Sequence, residues 1–545
     1  MRAVFLACFV FVAGLVAAAA GAAEPESEWI YVMRPGDTLI GVAAENFTDP
    51  DAWPVVQARN HIADPYRIPT GTRLKIPFRL LRPDPVAAEV LLVNGEALRT
   101  PAKVADADAA TGGPLAAGDA LRAGDSVEVA ADSNLSLRFP DGTRLLVLEK
   151  TNFVLRQAAR LGDSGHHQIE IELTRGNIES NVVATPASVR PKYEIRAPAL
   201  RMSVRGTHFR AAAEPDGGAT RSEVLTGAVR LSGARRSFVL HPGFGSLAVA
   251  GKPPQSPRQL LPAPAMVDPP ARIERLPLRF GWKPVADAQT YHAQVLDAAM
   301  NMMLDDHFPG TAARWADLPD GRYTFRVRAI AAERLEGLDA EHAFTLDARP
   351  EPPFTRSPIG RTYGDEAHFD WTAGAADDRY HFQLADDATF TRLLSDGPLL
   401  TATDFTRPLA PGVYFWRVAT VDAGGEHGPF GDTVSVDLQP VPASPPLAAP
   451  EIGEEQLQFR WRDSGRGETY QVQLASTPDF AEPLLDQQTS QAFIDVSRPA
   501  AGEYHLRVRA IETDGFAGPF GAPQRFTVPA PTPWWLLLLL LPLVL

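Results

Sequence analysis

Cysteine is almost absent from this chain, which has one among 545 residues, Cys8. Cys8 lies in an apolar stretch, 3–20, that follows Arg2 and ends in small residues, a pattern typical of a secretion signal. We predict that residues 1–23 are a signal peptide removed from the mature protein, with a lipid anchor on Cys8 as the alternative. The mature chain would then have no disulfide, no thiolate nucleophile and no cysteine-ligated zinc.

Basic charge is also scarce. Lys and Arg number 52 against 66 Asp and Glu, which leaves a formal net charge of −14. Because binding to duplex nucleic acid demands a basic surface, we expect no nucleic-acid partner. An exported chain without disulfides fits a bacterial periplasm or cell envelope, and that is the expected location.

The sequence lacks the common motifs of catalytic sites. No His-Glu-x-x-His occurs, and His166 and His167 are adjacent in a glycine-flanked loop instead of being spaced as metal ligands. The paired carboxylates at 377–378 and 386–387 fall in predicted loops. We therefore expect that the protein is not an enzyme and has no catalytic residue, metal or cofactor. A wall-active hydrolase remains the least favoured hypothesis.

Long hydrophobic runs are confined to two places, the signal-like segment and residues 534–545, which open with Trp534 and Trp535. A helix of the C-terminal run would rise about 18 Å, whereas the hydrocarbon core of a bilayer is roughly 30 Å thick. We predict a membrane-associated tail, with a sorting tail or a buried strand as alternatives. A membrane is thus an expected contact.

Alternating apolar and polar residues indicate antiparallel strands with one buried face. Residues 135–139 alternate in this way, Asp141-Gly142 supplies a tight turn, and the alternation resumes at 145–149, which predicts a hairpin.

Arginines alternate with apolar residues further along the chain. By this alternation Arg201, Arg205 and Arg210 are expected on a solvent-exposed face.

Two passages are rich in proline and are predicted to be linkers, 79–117 and 252–277. The second contains eight prolines, a density that favours an extended spacer between two halves of the molecule.

An internal repeat of about 90 residues follows the second linker. Trp282, Trp371 and Trp461 recur at this spacing, and each is followed nine residues later by a tyrosine. A second tyrosine in each copy, two residues after a glycine, opens a strand of alternating residues. The pattern predicts three β sandwiches, which resemble fibronectin type III domains. Their predicted bounds are 278–348, 353–438 and 447–528.

Residues 28–78 carry Pro35-Gly36-Asp37-Thr38-Leu39, then an amphipathic stretch, and close with Ile68-Pro69-Thr70-Gly71-Thr72-Arg73-Leu74-Lys75-Ile76-Pro77. This segment resembles a lysin-motif (LysM) domain, a small α/β module. The resemblance implies binding of N-acetylglucosamine-containing glycans, such as peptidoglycan, in a groove between two loops. Leu39 and Ile68 would cover the acetamide methyl and the sugar face. One wall of the groove would be Gly36, Asp37, Thr38 and Leu39, and the other Asp64, Tyr66, Arg67 and Ile68.

Residues 118–251 resemble the FecR-like periplasmic domain. The resemblance rests on Phe139-Pro140-Asp141-Gly142-Thr143, Val204-Arg205-Gly206-Thr207-His208-Phe209 and Val224-Leu225-Thr226-Gly227. FecR proteins relay an envelope signal to a sigma factor through a transmembrane helix and an anti-sigma segment. A signal peptide and a LysM-like segment stand in their place here, so only a β-rich interaction module is implied.

Together these features predict a multidomain, mainly β protein with a small α/β LysM module, an all-β FecR-like domain and three β-sandwich repeats. The leading hypothesis is a non-enzymatic envelope protein that binds peptidoglycan and presents its other domains to an unidentified envelope protein. The alternative is a periplasmic sensor in which the FecR-like domain binds an outer-membrane receptor without regulating a sigma factor in cis.

Overall fold

The computed structural model describes residues 27–102, 112–184, 193–463 and 469–530. Over these residues the chain is multidomain and mainly β, as predicted, and it divides into two compact units between Asp347 and Ala348. The predicted signal peptide 1–23 and apolar tail 534–545 lie outside the described residues. Within the described ranges, no helix is both long enough and apolar enough to cross a membrane.

The first unit opens with a small module, here called the N-terminal module (28–81), in which a two-stranded antiparallel sheet packs with two short helices. The order is strand, helix, helix, strand. Thr38 caps the first helix because its Oγ1 accepts a hydrogen bond from the Gly41 N–H at 3.0 Å. The elements are β1 (Glu28–Val32), α1 (Leu39–Asn46), α2 (Trp53–Arg59) and β2 (Arg73–Pro77), with 3₁₀ turns at Pro50–Ala52 and Phe78–Leu80.

The second part of the first unit, the central β domain (83–259), is one closed sheet of strands around a continuous apolar core. Its strands are β3 (Pro83–Pro85), β4 (Ala88–Asn94), β5 (Ala97–Thr100), β6 (Gly113–Pro114), β7 (Ala120–Leu121), β8 (Ser126–Val129), β9 (Asn134–Arg138), β10 (Arg144–Val147), β11 (Asn152–Leu161), β12 (His167–Asn181), β13 (Tyr193–Arg196), β14 (Arg201–Val204), β15 (His208–Ala213), β16 (Ala219–Thr226), β17 (Val229–Gly233), β18 (Arg236–Leu240), β19 (Phe244–Val249) and β20 (Arg258–Gln259), with a 3₁₀ turn at Gly162–Ser164.

The predicted hairpin is confirmed. Strands β9 and β10 pair with Leu137 opposite Leu145, and both side chains are buried in the core. Gly142 occupies the turn with a φ of +87°, a conformation that favours glycine.

The linker predicted at 79–117 is wrong over its described residues. Strand β4 pairs with β9, with Val90 opposite Leu137, and β5 pairs with β8. The passage therefore completes the closed sheet. Its strands escaped sequence reasoning because they are short and their alanines and prolines hide the period of two.

The N-terminal module packs directly against the central β domain. The Asn46 side-chain Oδ1 accepts from the Asp163 N–H at 2.7 Å, and the Asn46 backbone oxygen accepts from the Arg82 N–H at 2.7 Å. Leu161 of the central domain belongs to the apolar core of the module. The module is thus fixed to its neighbour.

Three β sandwiches follow, as predicted, each with two facing sheets. Repeat 1 (272–346) completes the first unit, and repeats 2 (355–439) and 3 (451–528) form the second. Repeat 1 contains β21 (Arg272–Ile273), β22 (Leu278–Gly281), β23 (Thr290–Asp297), β24 (Met302–Phe308), β25 (Ala312–Trp315), β26 (Gly321–Ile330) and β27 (Ala340–Leu346). Repeat 2 contains β28 (Thr355–Ser357), β29 (Gly360–Tyr363), β30 (Glu366–Trp371), β31 (Arg379–Ala385), β32 (Leu393–Asp396), β33 (Asp404–Pro408), β34 (Gly412–Val421), β35 (His427–Phe430) and β36 (Val434–Gln439). Repeat 3 contains β37 (Glu451–Ile452), β38 (Gln456–Arg460), β39 (Thr469–Ala475), β40 (Leu485–Thr489), β41 (Phe493–Ser497), β42 (Gly502–Ile511) and β43 (Gln524–Val528).

The repeated tryptophans lie in the sandwich cores, and each contacts the tyrosine nine residues later. The ring centroids of Trp282 and Tyr291 are 5.4 Å apart, and the equivalent pairs in repeats 2 and 3 lie at 5.8 and 5.4 Å. These aromatic pairs explain why both residues recur.

The spacer predicted at 252–277 is also wrong as a separator of two halves. Strand β20 pairs with β19 of the central domain, and β21 pairs in parallel with β27 of repeat 1. The Leu261 oxygen also accepts from the Leu338 N–H at 2.9 Å. The prolines remove their own N–H donors, but the residues between them still pair. The segment joins both domains within one compact unit.

Candidate functional site

The two loops predicted to form the glycan groove are adjacent in the structure. The Leu39 N–H donates to the Pro65 oxygen at 3.0 Å, which ties the start of α1 to the loop of residues 64–68. We call these two loops, 34–39 and 64–68, the loop pair.

In the first loop the predicted residues hold the turn together. The Asp37 Oδ2 accepts from the Tyr31 hydroxyl at 2.6 Å and from the Arg34 N–H at 2.7 Å. The Tyr31 hydrogen bond lowers the pKa of Asp37, while burial and the Asp37 carboxylate raise the pKa of Tyr31 to about 12. The backbone φ at Gly36 is +89°, a conformation that favours glycine at this position.

The prediction that Leu39 covers a bound sugar is wrong. Its side chain is 0% exposed and belongs to the core of the module, and its N–H is already bonded to Pro65. It therefore cannot cover a sugar, because helix α1 turns its first side chain inward.

The second loop offers the accessible groups. The Asp64 Oδ1 accepts from the Tyr66 N–H at 2.9 Å, which bends the loop so that the Tyr66 side chain is 65% exposed. Arg67 is exposed beside it, and Ile68 is half-buried against the core. An exposed aromatic ring next to a guanidinium can stack on a sugar face and donate hydrogen bonds to its oxygens.

A second constellation lies where the central β domain meets repeat 1, and sequence reasoning missed it. We call it the buried ion network. The Arg326 Nη1 donates to the Glu179 Oε1 at 2.7 Å, with the two side chains 3% and 4% exposed. His208 Nε2 lies 2.7 Å from the same oxygen.

Arg210 belongs to this network, which corrects the prediction that it faces solvent. Its side chain is buried and its Nη1 donates to the Asp339 Oδ1 at 3.1 Å. Alternation correctly placed it outside the sheet's core, but repeat 1 covers that face.

Arg328 of repeat 1 occupies the middle of the network. Its Nη1 donates to Asp339 Oδ1 at 3.1 Å, its Nη2 lies 2.9 Å from His292 Nδ1, and its Nε donates to Glu336. His292 Nε2 is 2.5 Å from Asp305 Oδ1. A chain of charges thus crosses the domain boundary.

The network shifts the ionisation of its carboxyls in opposite directions. Burial raises the pKa of Glu179, but Arg326 and His208 outweigh it and hold that pKa well below its usual range. Burial likewise raises the pKa of Glu336, and Arg328 and His292 overcome it. Glu223 adjoins the network, since its Oε1 lies 3.5 Å from the Glu336 backbone nitrogen. Burial prevails over Arg210 there and raises the pKa of Glu223 to about 7.

Two residues of the network, His292 and Glu336, have metal-ligating side chains close to His307, whose ring stacks on His292 at 4.2 Å between centroids. One ligand atom each from His292, His307 and Glu336 lie within 4.8 Å of one another. The Arg328 guanidinium, however, contacts both His292 and Glu336. Because a dication there would be repelled by this guanidinium, the arrangement is suited to ion pairing instead.

One sequence signal for the network exists. Arg326 and Arg328 alternate with buried apolar residues on β26, and Gln294 on β23 has counterparts in Gln383 and Gln473 of the other repeats. A polar strip is therefore part of the repeat itself, but its burial depends on a second domain.

Part of the central β domain matches a known protein family. A model of the FecR protein family matches residues 125–230, so the chain contains a FecR domain there. No curated protein sequence matches the chain.

Solved structures resemble parts of the chain at low identity. The FN1–FN3 domains of chicken CNTN1 are 16% identical over 50% of this chain and 99% of that chain, with a TM-score of 0.25. Two crystal structures of a Parabacteroides distasonis protein described as an anti-sigma factor are 16% identical, with a TM-score of 0.21. They cover 25% of this chain, which spans 59% of their length.

Proposed function

We propose that this protein is a non-enzymatic component of the bacterial cell envelope. It binds the N-acetylglucosamine-containing glycan of peptidoglycan through the N-terminal module and presents its FecR domain and sandwich repeats to an envelope protein. The observation that carries the proposal is the hydrogen bond from the Leu39 N–H to the Pro65 oxygen, which holds the loop of the exposed Tyr66 and Arg67 against the start of α1.

The order of elements in the N-terminal module supports the proposed binding of glycan. A strand, two helices and a closing strand are the elements expected from the LysM resemblance, and the loops at both ends of the helical pair meet. A single small module offers few contacts, so it would bind weakly and depend on contacts to neighbouring glycan strands.

The FecR domain supports the proposed role in the cell envelope. Its sheet β10–β12–β15–β16 faces repeat 1 through the buried ion network, so this face is not available to a partner. A protein partner would meet the remaining surface of the domain or repeats 2 and 3.

Co-sedimentation of the purified full chain with insoluble peptidoglycan tests the glycan contact. Tyr66→Ala and Arg67→Ala should each reduce the pelleted fraction, because both side chains are exposed and neither supports the core. Val55→Ala is the matched control, since Val55 is also exposed but lies on α2 outside the loop pair.

Asp37 and Leu39 are unsuitable for this test. Substituting either would disturb the turn or the core and would reduce binding through misfolding. If Tyr66→Ala and Arg67→Ala pellet as well as the wild type and the control, the loop pair is not the binding surface.

The FecR domain also favours a second candidate, a sensing role in which it contacts an outer-membrane receptor. A purified receptor periplasmic domain that binds the full chain and still binds Tyr66→Ala would support sensing. Failure of peptidoglycan to pellet the chain would move this candidate to first place.

A further inference from the structure

A cavity of about 370 Å³ lies beside the buried ion network, between the FecR-containing central β domain and repeat 1. Strands β10, β12 and β15 form one side, and the β23–β24 hairpin with β26 forms the other. Its size falls in the range of small-molecule sites, which is roughly 300–1,000 Å³. The glycan proposal does not use this cavity.

The walls of the cavity are mostly apolar. Leu146 of the central domain and Leu296 of repeat 1 are buried and belong to one apolar cluster that spans the boundary. Met300 stands at the rim, 38% exposed, at the tip of the β23–β24 hairpin. A flexible thioether at a rim adapts readily to an apolar ligand.

The floor is polar and rigid. The Glu179–Arg326 ion pair and His208 line it, and the second carboxylate oxygen of Glu179, Oε2, lies 4.0 Å from Arg328 Nη1. Arg326 and Arg328 together thus offset the charge of the Glu179 carboxylate.

Arg144 is the lining cation that remains open to a ligand. The cavity is lined by two arginines, Arg144 and Arg326, and one carboxylate, Glu179. Arg326 is compensated by Glu179 and by Glu341 at 2.9 Å. Arg144 donates to the Ala299 oxygen, which fixes the hairpin tip but leaves its charge uncompensated by that contact.

We propose that this cavity binds a small amphipathic carboxylate, whose anionic group pairs with Arg144 and whose apolar body packs against Leu146, Leu296 and Met300. The ligand would bridge the FecR domain and repeat 1, since each contributes half of the lining. Its occupancy would therefore strengthen the contact between the two domains.

Isothermal titration of the full chain with hexanoate tests the proposal, with hexylamine as the ligand of equal length and opposite charge. Hexanoate should bind and hexylamine should not. Arg144→Gln should weaken hexanoate binding at least about fivefold, because it removes the charge-assisted contact.

The matched control is Arg138→Gln. Arg138 lies directly opposite Arg144 on β9 but does not line the cavity. It should leave binding unchanged. Met300→Glu provides a second variant at an exposed position, where an added carboxylate should repel the anion without disturbing the core.

Absence of hexanoate binding, preference for hexylamine, or equal binding by Arg144→Gln and Met300→Glu would each overturn the proposal. If Arg144→Gln does not fold, Met300→Glu alone decides. Because none of these variants touches the loop pair, pelleting with peptidoglycan should be unchanged in all of them, which keeps this test separate from that of the glycan contact.

Discussion

Glu179 of the FecR domain and Arg326 of repeat 1 form an ion pair of 2.7 Å in which both side chains are almost fully buried. Residues 147 positions apart thus make the two domains a single unit. The pair is held from both sides, by His208 on the FecR domain and by Glu341 on repeat 1.

Removing one partner of this pair should be strongly destabilising. Arg326→Met leaves Glu179 buried without its main counter-charge and should cost about 3–5 kcal/mol of unfolding free energy. Replacing both residues, as Glu179→Leu with Arg326→Met, should recover much of that loss. Urea unfolding, monitored by hydrogen exchange at the β26 amides, measures the unfolding free energy of the single and the double variant.

An exposed ion pair provides the matched control. Arg175 and Glu128 are 2.5 Å apart but 41% and 52% exposed, so Arg175→Met should cost about 0–1 kcal/mol. An equal effect of Arg175→Met and Arg326→Met would contradict the role assigned to the buried ion network.

Stability should depend on pH through Glu223. Its pKa is about 7 in the folded protein, above its value in the unfolded chain, so the protonated form favours folding. This contribution is fully present below about pH 4.5 and is lost as the pH rises through 7. Glu223→Gln should remove that loss, measured as the difference in unfolding free energy between pH 5 and pH 8.

The opposite dependence is expected from Glu179 and Glu336. Their lowered pKa values give stability that is present at neutral pH and is lost as the pH falls through those lowered values. An unchanged pH profile in Glu223→Gln would show that its carboxyl is not neutral in the folded protein.

The second tyrosine of each repeat should stabilise its sandwich through one hydrogen bond. The Tyr323 and Tyr504 hydroxyls donate to backbone oxygens four residues earlier, at 2.7 and 2.8 Å, and both side chains are buried. Tyr323→Phe and Tyr504→Phe should each cost about 1 kcal/mol. Tyr414→Phe should cost less because its equivalent bond is exposed. Chemical denaturation of the three variants checks this order, and an equal cost at all three positions would contradict it.

The N-terminal module should depend on Asn46 for its attachment. Asn46 is buried and its side chain accepts from the Asp163 N–H, so Asn46→Ala leaves that donor unsatisfied and should cost about 1–3 kcal/mol. A separate, earlier melting step of the module is expected by calorimetry. Gly162→Ala should act similarly, since its Cβ would lie 2.9 Å from Asn46 Oδ1 at a φ of +48°. A single unchanged transition in both variants would mean that the attachment lies elsewhere.

Local periodicity was sufficient for much of the fold. The turn at Gly142 and the alternation around it predict a hairpin that depends only on neighbouring residues, and the Trp282–Tyr291 pair recurs because each sandwich needs it. Arg210 shows the limit. Alternation shows which side of a strand a residue occupies, but whether that side is exposed to solvent depends on the packing of another domain.

The candidate sites show the same limit. The LysM resemblance placed two loops that the structure brings together, yet it did not show that the Leu39 side chain is committed to the core. The cavity beside the buried ion network was unpredictable because its residues come from two domains and from distant strands.

Binding of a soluble N-acetylglucosamine oligomer to the full chain tests the central claim most directly. Isothermal titration with the hexamer of N-acetylglucosamine should give measurable binding, and cellohexaose, which has the same backbone without acetamide groups, should not bind. Tyr66→Ala should abolish the signal while Val55→Ala retains it. Equal binding of both sugars, or none of either, would contradict recognition of the acetamide by the loop pair.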